Sequence, residues 1–352
     1  MKFSAYKYLL AYLSPALVIF SLYQDDLYTF TSVAVLFGLL PALELFARGS
    51  VRNLTEIEEE IALRDKTYDL LLYGLVPCQY FILVLFLSRV SLDSVPFYAK
   101  FGQMMSFGMA CGILGINAAH ELGHRRTWYE RLMSKMLLLT SQYMHFYIEH
   151  NRGHHKNVST DEDPASSRLG ENVYSFYVRS IRDSWLSAWS LENKRLRKEG
   201  KNPVSPANEM IRFQIIQAGL LVLILFTFGW ETLGWYLGGA SVGFLLLETV
   251  NYIEHYGLRR KKNGDRYERT MPVHSWNSNH PLGRLVLLEL SRHSDHHFLA
   301  SRKYQILRHF DESPQMPTGY PGMMMLSLVP PLWFRVMHRE INKFKNKTTD
   351  LV

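Results

Sequence analysis

Residues 101–124 read FGQMMSFGMACGILGINAAHELGH, an apolar run that closes on two histidines four positions apart. The run 101–119 approaches the ~20 residues that a helix needs to cross a hydrocarbon core. Side chains four apart share one helix face, so the spacing points His120 and His124 together at the mouth of a membrane helix. The fold is expected to be built around such mouths.

Two more clusters repeat the device: His150, His154 and His155, then His293, His296 and His297, with His255 standing alone. These are nine of the fourteen histidines. The pairs His150/His154 and His293/His297 are each expected to aim at one metal, with His296 close beside. Neutral imidazole suits iron, zinc, copper and nickel, and nine exceed what one ion takes and suffice for two.

Comparable apolar runs occupy 6–23, 28–47, 68–88, 213–229 and 233–253. The expected architecture is therefore all-α, a six-transmembrane-helix bundle forming one domain over 1–352. A mean hydropathy of −0.08 conceals this, because charged stretches separate the runs. Cytoplasmic loops carry the excess of Lys and Arg. Residues 24–26 and 230–232 hold neither, and 89–100 only Arg89 and Lys100, whereas Arg48, Arg52, Arg64, Lys66 and the segment 125–201 are basic. Both termini are thus expected in the cytoplasm, with 120–212 and 254–352 forming a helical cap on that side of an inner membrane. Lys2 and Lys7 precede a run without a small-residue cleavage site, which reads as an anchor.

The apolar piece 132–148 is short and broken by Ser134, Lys135, Ser141 and Gln142, and reads as an interfacial or buried helix. All nine histidines then reach the same side. The net charge of +7 fits anionic lipid or an acidic protein partner rather than nucleic acid. Cys78 and Cys111 lie in apolar runs and read as small core residues, which leaves no iron–sulfur or C-x-x-C site. No flavin or nicotinamide fingerprint occurs either, so electrons are expected from a separate protein. The basic run Arg259, Arg260, Lys261 and Lys262, with Arg266 and Arg269, reads as a dock for an acidic carrier or as a membrane anchor.

HELGH also fits the H-E-x-x-H pattern of zinc proteases, in which Glu121 would be the general base. That reading leaves six clustered histidines unexplained. A proton-conducting transporter is disfavoured too, because clustering at ligand spacing argues for metal. Glu121, Glu149, Glu254 and Asp295 each adjoin a cluster histidine and are expected to accept the N–H that a metal-bound imidazole leaves free. A bridging carboxylate, as in soluble di-iron proteins, stays open.

The motifs HELGH (120–124), EHNRGHH (149–155), NYIEHYGL (251–258) and RHSDHH (292–297) together resemble those of the integral-membrane alkane 1-monooxygenases, within the wider membrane desaturase and hydroxylase group. The connecting text DEDPASSRLGE (161–171), HSWNSNH (274–280) and PTGYPGMM (317–324) is similar too, and the likeness runs from about Phe30 to His338. The resemblance implies that the nine histidines bind two iron ions as a non-haem di-iron centre. It implies hydroxylation of the terminal methyl of medium- to long-chain n-alkanes with dioxygen and electrons from rubredoxin and its reductase.

Desaturases of the group tend to carry H-x-x-H-H, whereas His150 to His155 reads H-x-x-x-H-H and His255 is additional. That departure favours a hydroxylase over a fatty acyl or sterol desaturase, and xylene-type monooxygenases stay open. In members that this chain resembles, the stretch matching VLFGLLP (35–41) can carry a bulky aromatic that closes a substrate tunnel. Leu36 here implies room for chains of about ten carbons and above. His274 and His280 flank Trp276 and are candidates for supporting or electron-entry roles, while His309 and His338 are expected at the surface and His145 outside the ligand set.

Overall fold

The computed structural model describes the backbone of residues 3–349 and the side chains of 5–346, so the two chain ends, expected in the cytoplasm, lie outside the described residues. Helix dominates, and the strands among the described residues are the two-residue pair Lys262–Asn263 and Arg266–Tyr267. Leu27–Glu44, Thr67–Val90 and Glu209–His255 are long and apolar enough to cross a membrane, and Lys7–Leu22 is a shorter apolar helix.

Straight, the 47 residues of Glu209–His255 would rise ~70 Å. That is more than twice a hydrocarbon core of ~30 Å. The helix breaks instead at Gly229, whose φ of 83° and ψ of 177° suit a residue without Cβ. The break falls at the edge of the Trp230-Glu231-Thr232 loop expected from sequence.

Residues 97–123 form one continuous rod composed of Phe97–Met109, a π-helical Ala110–Ile116 and Asn117–Gly123. Small residues let it lie close against the second half of the long helix. A Cβ on Gly108 would stand 2.4 Å from Val242, and one on Gly112 would stand 2.9 Å from Leu246. Such close approach is how helices associate where lipid removes the hydrophobic drive between them. The two rods end at His124 and His255, which delivers both to the same end of the bundle.

Trp128–Leu139 has 12 residues, about 18 Å of helix, too short for a span. A left-handed Gln142 (φ 56°) turns the chain into Phe146–Glu149 and thence into the second histidine cluster. Behind the site, Tyr252, Tyr256, Trp276 and Trp333 pack together and hold the 251–256 segment against the C-terminal helix Pro330–Thr349.

Candidate metal centre

The nine clustered histidines converge into two groups. His120, His124, His150, His155 and His296 place their ligand nitrogens within 4.8 Å of one another, and so do His154, His255, His293 and His297. In the first group Nε2 faces Nε2 at 2.9 Å (His120 and His296), 3.1 Å (His124 and His150) and 3.0 Å (His155 with both His150 and His296). In the second the spacings are 3.2 Å (His154 and His297), 3.3 Å (His293 and His255) and 2.8 Å (His297 and His293).

Hydrogen bonds alone do not explain these rings, since each neutral imidazole carries one N–H for several facing nitrogens. Donors ~2.1 Å from a common centre and at right angles stand ~3 Å apart. Each group therefore has the spacing of a cation's ligand shell.

Local backbone decides who joins which group. His150–His154 is π-helical, with i→i+5 bonding, so His150 shares a face with His155 and not with His154. The expectation that His150 and His154 serve one metal is corrected accordingly: His150 enters the first group and His154 the second. His293–Phe298 is α-helical, so His293 and His297 stay together while His296 turns to the other group. Left-handed Leu288 (φ 52°) and Glu289 (φ 61°) bend the chain immediately before this cluster.

Burial disfavours the protonated form of several of these imidazoles. It pushes His124 down to about 3, with the charge of His154 adding to the effect, and drives His150, His155, His293, His296 and His297 well below the ordinary value. Lone pairs are thus available near pH 7.

Asp163, which sequence reasoning did not single out, lies 2.9 Å from Nδ1 of His154. Burial works to raise its carboxyl, but His154 and the Ser166 hydroxyl hold it below the usual carboxylate range. Its signal was faint, because Asp161 and Glu162 beside it are exposed and only Asp163 is buried.

The four expected acids divide. Glu254 Oε2 stands 3.1 Å from His293 Nε2, on the ligand side of that ring. Glu121 instead pairs with Arg125 at 2.7 Å and accepts the Tyr304 backbone N–H, which removes the free base that a zinc protease would need. Asp295 receives Arg302 at 2.7 and 2.8 Å and the Arg308 backbone N–H, and Glu149 receives the Ser187 hydroxyl.

An apolar cavity leads to both groups. Leu36, Ile113 and Leu246 line its walls, while His120 and His150 of the first group and His293 of the second reach its inner end with Glu254. The residues present fit a metal centre that works on a greasy substrate.

Comparison with known proteins agrees. Residues 96–327 match the fatty acid desaturase family. Over 320 residues, 90% of this chain and 84% of the relative, the sequence is 42% identical to alkane 1-monooxygenase 1 of Pseudomonas aeruginosa. The chain belongs to the alkane 1-monooxygenase family. The alkane 1-monooxygenase of Acinetobacter baylyi is 39% identical over 90% of this chain and 77% of its own. The xylene/toluene monooxygenase hydroxylase component of Pseudomonas putida is 28% identical over 67% of this chain. Membership of the alkane 1-monooxygenase family and the histidine groups are together consistent with non-haem iron.

The other histidines of this alkane 1-monooxygenase family member bond elsewhere. His274 lies 3.2 Å from Glu268, His280 bonds Ser278, and His145 meets the Tyr143 ring edge to face. His309 is not at the surface as expected: it is buried, with Nδ1 3.0 Å from the Asn279 amide and its backbone N–H given to Asn53. Asn53 holds the His309 backbone at both its N–H and its carbonyl, a pairing that sequence spacing does not reveal. His338 is half-buried, 3.0 Å from the Tyr256 hydroxyl.

Proposed function

We propose that this protein is a membrane-embedded non-haem di-iron monooxygenase that hydroxylates the terminal methyl of medium- to long-chain n-alkanes to primary alcohols. The observation that carries the reading is the cavity: apolar along its length, it ends on histidines of both groups at once. His120, His124, His150, His155 and His296 would hold one iron, and His154, His255, His293 and His297 the other, with Glu254 offering an oxygen at the second. Bound iron would supply reductive activation of dioxygen.

The chain's own residues do the rest. The apolar walls take an alkane out of lipid, exclude water and present its end to the histidines, while Leu36 sets how much chain fits. Asp163 accepts Nδ1–H of His154 and so leaves its Nε2 bare for metal. No side-chain acid, base or nucleophile is needed at the carbon.

Rubredoxin, recharged by its reductase, is the electron source in this reading, supported by the absence of a C-x-x-C pair from the sequence. The exposed cations Lys261, Lys262 and Arg266 on the small hairpin suit an acidic carrier. Six spans are supported by the three long apolar helices, Lys7–Leu22, the rod 97–123 and the break at Gly229. A metal centre at the cytoplasmic face of the inner membrane is part of this reading, supported by the basic loops.

The test is iron analysis of purified protein and turnover of an n-alkane ladder with rubredoxin and its reductase added. About two irons per chain and primary alcohol products are expected. Zinc in place of iron, or methylarene turnover without alkane turnover, overturns the reading.

A further inference from the structure

Away from the histidines, a cavity of about 340 Å³ opens beside the start of the first apolar helix. Lys7, Arg52, Arg284 and Arg292 line it against two carboxylates, Glu58 and Glu289. Both carboxylates are already engaged. Glu58 accepts from Arg52 at 2.8 Å and from the Thr55 backbone N–H, and Glu289 accepts from the Tyr8 hydroxyl at 2.8 Å and from Arg284 Nε at 2.6 Å.

Positive charge is left over. Lys7 holds its Nζ 4.9 Å from the centre of the Tyr8 ring and forms no ion pair among the described residues. Arg292 is 3% exposed, and its terminal nitrogens donate to the backbone carbonyls of Leu307 and Arg52. Its Nε has no hydrogen-bond partner among the described residues and stands 3.9 Å from Glu289. A buried guanidinium N–H without an acceptor costs stability until an acceptor arrives.

The surroundings say which acceptor. Leu54 and Leu285 share the cavity wall, and Leu9, Leu13, Phe46 and Val51 on the adjoining segments are exposed apolar side chains. We propose that this cavity binds the phosphate of an anionic phospholipid, with the acyl chains laid along that exposed apolar surface. Basic pockets at the cytoplasmic ends of membrane helices take phosphorylated headgroups, and guanidinium geometry matches phosphate oxygens. Arg292 directly precedes His293, so an occupied site braces the third histidine cluster. The inference rests on the membrane-spanning reading above. Lipid binding is scored without alkane turnover, so either can fail alone.

Full-length protein in neutral detergent is titrated in parallel with short-chain phosphatidylglycerol, phosphatidylcholine and inorganic phosphate, read by calorimetry. Saturable phosphatidylglycerol binding at least about tenfold tighter than phosphatidylcholine is expected, weakened about tenfold in the Lys7→Gln/Arg52→Gln double variant. Both side chains are exposed, so the fold does not depend on them. Lys343→Gln, remote on the C-terminal helix, should bind as the parent does. Equal affinity for the two lipids overturns the proposal, as does a double variant that binds phosphatidylglycerol unchanged. Inorganic phosphate binding as tightly as phosphatidylglycerol overturns the lipid as source.

Discussion

The Nδ1 of His154 lies 2.9 Å from a carboxylate oxygen of Asp163, and this contact decides which ring nitrogen faces the four-imidazole group. Asp163→Ala leaves the ring free to turn or to protonate Nε2. Loss of such a partner costs roughly 10–100-fold in metal affinity. Under a chelator challenge the variant should shed about half of its iron before the parent sheds any. Asp295→Asn, which loosens Arg302 instead, should lower the melting temperature and keep the metal.

His150 and His155 face one group while His154 faces the other, so neighbours in sequence should empty different sites. His155→Ala should lose the spectroscopic signature of one iron, and His154→Ala or His255→Ala that of the other, all three with hydroxylation abolished. Mössbauer spectra of iron-57 protein check this, and the same component lost in His154→Ala and His155→Ala would refute the partition. His338→Ala, which removes the bond with Tyr256 and the stacking on Tyr256 and Phe334, should cost about 1–2 kcal/mol of stability and retain both components.

How much of this was legible follows from which forces act locally. The nine histidines could be picked out because helix periodicity writes ligand spacing directly into sequence, and the break near Trp230 because Gly229 ends an apolar run beside a glutamate. The partition could not. A π turn at His150–His154 changes the angular step per residue without leaving a compositional mark. Asp163 escaped because its pairing with His154 is fixed by how the 158–167 loop folds back, and Glu121 was drawn from its expected partner by Arg125, four residues on and just past the end of its helix.

His145 gives a pH test outside the ligand set. Burial pushes it down to about 3, against ~6.5 in an unfolded chain. Between those values the unfolded state binds a proton that the folded state refuses, so stability rises with pH across the window and is lost as pH falls from about 6.5 toward 3. His145→Phe removes that linkage. Its metal-free melting temperature should fall less steeply than the parent's between about pH 6.5 and 4.5, and parallel curves would count against the buried neutral assignment.

Leu36 tests where the cavity stops a chain. It is 2% exposed, sits in the π-helical Ala34–Leu39, and lines the same cavity that ends on His120 and His293. An indole in its place has nowhere to go but into that space, and it removes room without touching a ligand. For Leu36→Trp, kcat/KM on alkanes of about ten carbons and above should drop tenfold or more while shorter alkanes are spared, because pocket discrimination per methylene is of that order. Iron content should not change. Leu36→Ala should extend the range the other way. A chain-length profile that stays put in both variants, with iron intact, would place the end of the cavity elsewhere and leave Leu36 as an ordinary packing residue.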